Sequence, residues 1–127
     1  MKKTFALILL IIGTLFFTGC GVDETWNGVY TNNSNYEILI YTQDEKIASV
    51  MIKESGENYI LYPVQYDNAF DVEGTILKAR SGEKITIEKN GLDITIKHGD
   101  EEKGVWTKIE GTYTKQKNAS AFNQKQF

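Results

Sequence analysis

Few residues in this chain have the chemistry for catalysis. There is one cysteine, Cys20, and one histidine, His98. His98 lies in the run Lys97-His98-Gly99-Asp100-Glu101-Glu102, which reads as a charged turn. A histidine general base needs a nucleophile positioned on it and an acid to orient it. No G-x-S-x-G or comparable nucleophile motif accompanies His98, so the sequence reads as non-enzymatic.

Metal chemistry is equally thin. Asp71-Val72-Glu73-Gly74 has the glycine of a calcium loop, but the first and last ligand places then fall on Ala69 and Arg80. An EF-hand loop needs acidic groups at both. No metal and no cofactor are expected.

The aromatic residues say more. Tyr30, Tyr36, Tyr41, Tyr59, Tyr62, Tyr66 and Tyr113 all follow Cys20, as do Trp26 and Trp106. Tyrosine joins apolar area to a polar tip, which suits a ligand cup, a protein interface or ordinary strand packing. Trp26, Tyr62, Tyr66 and Trp106 are the candidate ligand-binding residues.

Cys20 has a different context. Lys2 and Lys3 precede an apolar run from Phe5 to Phe17. That run is shorter than the ~20 residues of a spanning helix and has the order of a secretory signal. Phe17-Thr18-Gly19-Cys20 resembles the lipobox of bacterial lipoproteins. The resemblance implies a diacylglyceryl group on the Cys20 sulfur and cleavage after Gly19. The expected organisation is a signal peptide over 1–19, a lipidated tether over 20–25, a β-domain over 26–115 and a flexible tail over 116–127. The location would be extracytoplasmic, with the membrane reached through Cys20. Two or more acyl chains hold a protein stably where one holds marginally. From Cys20 to Trp26 the tether reaches about 18 Å at most.

The chain has 127 residues, 14 basic and 17 acidic. Loss of Lys2 and Lys3 with the signal leaves twelve basic against seventeen acidic residues, a net charge of −5. No basic patch remains for nucleic acid or anionic lipid. With no second thiol there is no disulfide to staple the fold. The remaining 108 residues suffice for one self-supporting domain, burying ~65% of its unfolded surface.

The elements that must position these residues follow period two. Strands are predicted at Trp26–Thr31, Tyr36–Thr42, Lys46–Lys53, Tyr59–Tyr66, Gly74–Ala79, Lys84–Lys89, Leu92–Lys97, Val105–Ile109 and Thr112–Thr114. Tyr36, Ile38 and Ile40 share one face, as do Ile60, Tyr62, Val64 and Tyr66. Pro63 lacks an N–H, placing its strand at an edge or a bulge. Asp67 to Val72 reads as irregular. Asn90-Gly91 is a preferred type I′ loop, predicting Lys89 opposite Leu92, Ile87 opposite Ile94 and Ile85 opposite Ile96. Glu88 would then face Asp93, so that face is wet or holds a cation. No amphipathic helix is expected after the signal.

Strands at 8–12-residue spacing indicate an all-β domain, either an antiparallel up-and-down barrel or a β-sandwich. Gly28-Val29-Tyr30-Thr31 is echoed by Gly111-Thr112-Tyr113-Thr114, each near a tryptophan. This W-x-G-x-Y … G-x-Y-x-K pattern resembles small lipocalin-like barrels of bacterial lipoproteins. The resemblance implies that the first and last strands pair to close a barrel. It also implies a small apolar or amphipathic ligand entering the open end between turns. The alternative is a protein–protein interaction module or an inhibitor in the cell envelope, binding its partner at an acidic, aromatic surface.

Overall fold

A computed structural model describes residues 21–54, 68–80, 84–99 and 105–123, with 125 and 127. Cys20, the signal segment and the strand expected around Pro63, with Tyr62 and Tyr66, lie outside the described residues.

Eight strands form a closed antiparallel barrel in chain order: β1 (Gly28–Thr31), β2 (Tyr36–Gln43), β3 (Ile47–Glu54), β4 (Phe70–Glu73), β5 (Ile76–Ala79), β6 (Ile85–Asn90), β7 (Asp93–His98) and β8 (Gly111–Asn118). This is the up-and-down, lipocalin-like architecture, and the sandwich alternative falls. β1 pairs with β8, as the echoed motif implied, with Tyr30 opposite Lys115 and Thr31 opposite Thr114. The register shifts between Val29 and Tyr30, so a bulge lies in the closing seam. Gly28 is required there. A Cβ at that position would lie 2.6 Å from Lys115 Cε and 2.8 Å from the Lys117 carbonyl oxygen.

Period two sorts each strand into an inner and an outer face. Tyr30, Ile38, Ile40, Ala48, Val50, Ile52, Phe70, Leu77, Ile85, Ile87, Ile94, Ile96 and Tyr113 form one core, with Tyr36 packed against it. The runs Ile38-Leu39-Ile40 and Val50-Met51-Ile52 are buried on both faces. Their outward members, Leu39 and Met51, join Val29 and Ala119 in a second cluster, against which Tyr41, Phe122 and Phe127 pack. The chain after β8 therefore covers the outer wall of β1–β3. A frayed tail from Gln116 was expected; instead β8 runs to Asn118, and the following aromatic residues have an apolar face to cover.

Three further expectations change. Phe70–Glu73 is a strand, not an irregular stretch, and pairs with both β3 and β5. Val105–Ile109 is a short helix, α1, not a strand. Trp106 and Ile109, three apart, are buried, while Thr107 and Lys108 are exposed. That is helical spacing. Finally, the β6–β7 loop is Gly91-Leu92, because Asn90 pairs with Asp93. Gly91 has φ 66° and no positive φ occurs at Leu92. Glycine at the first loop position with an ordinary second residue is the type II′ pattern. The partner register moves by two residues, bringing Ile87 opposite Ile96 and Ile85 opposite His98. A two-residue shift preserves the faces, so the isoleucines still point inward. Glu88 faces Thr95 instead of Asp93 and lies 3.2 Å from Lys97 Nζ. No cation is needed to explain its charge.

Candidate functional site

The two ends of the barrel differ. At one end lie the β2–β3, β4–β5 and β6–β7 turns, the start of β1 and the end of β8. Here a cleft of about 720 Å³ opens, lined by Glu24, Trp26, Asn27, Asp44, Glu45, Val72 and Lys89 among others. Ligand pockets commonly span about 300–1,000 Å³.

Each wall has a local cause. Asn27 fastens the start of β1 to the end of β2, its Oδ1 accepting from Thr42 N–H at 2.7 Å and Thr42 Oγ1 at 2.9 Å. The β2–β3 turn closes with Lys46 N–H donating to the Gln43 carbonyl at 3.3 Å. Its central residues Asp44 and Glu45 both hold left-handed backbone, φ 60° and 58°. That is the type I′ arrangement without its usual glycine. It directs two exposed carboxylates to the cleft. The β4–β5 turn has Gly74 at φ 66° in a two-residue loop, since Glu73 pairs with Ile76.

Trp26 belongs to the core cluster of the barrel and is 7% exposed, but it also forms part of the cleft's inner wall. Its indole N–H donates to the Gly74 carbonyl at 3.3 Å, and Lys89 Nζ stands 5.8 Å from its ring centre. Lys89 Nζ also donates to the Glu24 carbonyl at 2.6 Å. Beside Trp26, Lys115 is buried in the barrel end, its side chain fully enclosed. Its ammonium donates to the Asp23 carbonyl at 2.9 Å, to Asp23 Oδ1 at 3.2 Å and to the Thr25 carbonyl. Burial holds the Lys115 ammonium below its ordinary value, and the Asp23 carboxylate works against that. Asp23 is held below the usual carboxylate range, chiefly by hydrogen bonds from Thr25 and secondarily by Lys115.

At the opposite end α1 plugs the barrel. Trp106 is buried and meets Phe70 edge-on, with ring centres 5.7 Å apart. It therefore belongs to the core and not to a ligand surface. Of the four aromatic candidates the structure brings only Trp26 to the cleft, while Tyr62 and Tyr66 lie outside the described residues. Among the described residues the core side chains pack together between the ends, and the cleft lies at the barrel end.

Asp44, Glu45, Lys89 and Lys115 went unselected in the sequence. Turn acids carry no signal that says what they line. Lys115 did carry one: in Tyr113-Thr114-Lys115 it shares the inward face of Tyr113.

His98 is the last residue of β7, not part of a solvated turn. Its Nε2 lies 3.4 Å from Glu110 Oε1, and its Nδ1 is 3.0 Å from the Gly99 carbonyl oxygen. Asp71 and Glu73 each have their own cation, Arg80 at 3.4 Å and Lys78 at 3.2 Å. Among the described residues no three His, Cys, Asp or Glu side chains converge as a metal site. Among them, too, no helix is long and apolar enough to cross a membrane. Comparison with family models, curated proteins and solved structures returns no match.

Proposed function

We propose that this protein is a bacterial lipoprotein, held outside the cytoplasm by acyl chains on Cys20, and that its barrel binds a small amphipathic ligand without transforming it. The observation that carries the binding reading is the cleft beside Trp26. An indole and Val72 supply apolar wall, while Glu24, Asp44, Glu45 and Lys89 supply charge at its mouth. This mixture suits an amphipathic molecule better than a purely apolar one. The non-enzymatic reading rests on His98, whose ring is engaged by Glu110 and Gly99 at the plugged end, away from the cleft.

The binding test is a titration with dodecylphosphocholine below its micelle threshold, following tryptophan emission in the wild-type and Trp26→Phe chains. Their difference isolates Trp26. A saturable change in that difference is expected, and a flat response removes the cleft as a ligand site. The anchor is tested by mass spectrometry of the N-terminal peptide. A diacylglyceryl adduct on Cys20 is expected, and an unmodified thiol removes the anchor.

A further inference from the structure

The residues after Cys20 do not form a loose tether; they are strapped across the end of the barrel that holds the cleft. Asn118 Nδ2, at the end of β8, donates to the Gly21 carbonyl at 2.6 Å, and Asp23 N–H donates to Asn118 Oδ1 at 3.1 Å. Lys115 binds the carbonyls of Asp23 and Thr25. Lys89, at the end of β6, takes the Glu24 carbonyl, and Trp26 reaches the β4–β5 turn at Gly74. The strap thus runs from β8 past β6 to the β4–β5 turn. Gly21 is the residue after Cys20, and one residue spans about 3.5 Å. Gly21, the residue that follows Cys20, is therefore held at the cleft end and not at the end plugged by α1.

We propose that the cleft opens onto the bilayer that holds the anchor, and that its occupant is the headgroup of a zwitterionic aminophospholipid from that leaflet. This rests on the lipoprotein and binding readings above and adds an orientation and a ligand class to them. The strap fixes the orientation, because lipid chains on Cys20 would press this end against the membrane surface. Charge at the mouth sets the class. An ammonium group meets the carboxylates of Glu24, Asp44 and Glu45, and the adjoining phosphate meets Lys89. A lipid carrying phosphate without ammonium meets three carboxylates against one lysine, which disfavours it. Trp26 and Val72 give the glycerol and ester region apolar wall.

The test uses the full lipidated protein in vesicles carrying a spin label on the lipid headgroup, which quenches nearby indole. The vesicles are either a mixture of phosphatidylethanolamine and phosphatidylglycerol or phosphatidylglycerol alone. The wild-type minus Trp26→Phe difference again reports Trp26. Loss of that emission is expected in both vesicle types, since the anchor holds this end at the surface. It is expected to be severalfold greater in the mixed vesicles, where an occupied cleft brings a headgroup against the indole. Lys115→Met and Asn118→Ala, which loosen the strap, are expected to restore the emission while the protein stays bound. Asn118 is exposed, so its replacement leaves the barrel closed even where loss of Lys115 does not. Protein that floats with the vesicles, but whose Trp26 is quenched no more than in a soluble Cys20→Ser chain, overturns the orientation and leaves the anchor standing. Equal quenching in both vesicle types overturns the headgroup assignment. Protein that fails to float removes the anchor, and the proposal falls with it.

Discussion

The ends of this barrel are built from the same sequence fragment and finish differently. At the cleft end Tyr30 donates its hydroxyl to the carbonyl of Trp26, four residues earlier, at 2.7 Å. At the plugged end Tyr113 donates to the carbonyl of Ile109, also four residues earlier, at 2.8 Å. In both, a glycine two residues before the tyrosine opens the strand, and the hydroxyl pins the chain that enters it. The difference lies in what precedes. Before Tyr113 the chain winds into α1 and drives Trp106 into the core. Before Tyr30 it crosses the barrel mouth without winding into a helix, bending at residues 24–26 and leaving Trp26 on the wall of a cleft. One corner can therefore either seal a barrel or frame an opening, according to whether the incoming segment coils.

The largest expected effect breaks the seal. Trp106→Ala should cost about 3–5 kcal/mol, the usual penalty for emptying an aromatic core site. Trp26→Ala should stay within the common range of about 0.5–3 kcal/mol, because water from the cleft fills the space. Urea titration of both variants measures the gap, and equal losses would end the distinction between plug and wall. Next comes the seam. Gly28→Ala should cost about 1–3 kcal/mol through overpacking against Lys115 and the Lys117 carbonyl. Tm comparison with the wild type checks it.

The paired tyrosines give a smaller, matched effect. Tyr30→Phe and Tyr113→Phe should each lose about 1 kcal/mol, the net worth of one hydrogen bond. Burial raises both hydroxyls above their ordinary value. Their stabilisation is complete below the unfolded tyrosine value of about 10 and is lost as pH rises through the higher folded values. Either replacement should thus flatten the alkaline limb of a stability-against-pH curve, and an unchanged limb would exclude this origin. The smallest effect reverses sign. Glu45→Gly relieves left-handed strain and should stabilise the β2–β3 turn by roughly 1 kcal/mol. It also removes a carboxylate from the cleft, so thermal stability and ligand titration should move in opposite directions.

The barrel was legible because its signals are local and periodic. Alternation in Ile85–Ile87 and Ile94–Ile96 places those side chains inward, and the β1–β8 closure is what the resemblance to lipocalin-like barrels implied. The β6–β7 register was not legible at single-residue precision. Asn90-Gly91 and Gly91-Leu92 both supply a loop glycine, and Asn90 is free to pair in the ladder. α1 was hidden because five residues with two apolar anchors fit a strand as readily as one helical turn. The doubly buried runs in β2 and β3 did announce a covered outer wall, and Phe122 and Phe127 supply the cover. The cleft was half legible. Trp26 could be named from its motif, but Lys89, Asp44 and Glu45 meet it only through turns that the fold assembles.

The closing seam also imposes an order in time. β1 meets β2 across a four-residue turn, yet its other edge waits for residues 114–118. A chain delivered N-terminus first therefore presents an unpaired edge until nearly all of it is available. Contacts this distant in sequence form slowly, and an open strand edge recruits other chains. Loss of β8 would accordingly strip partners from both β1 and β7 together, turning a domain without edges into one with two.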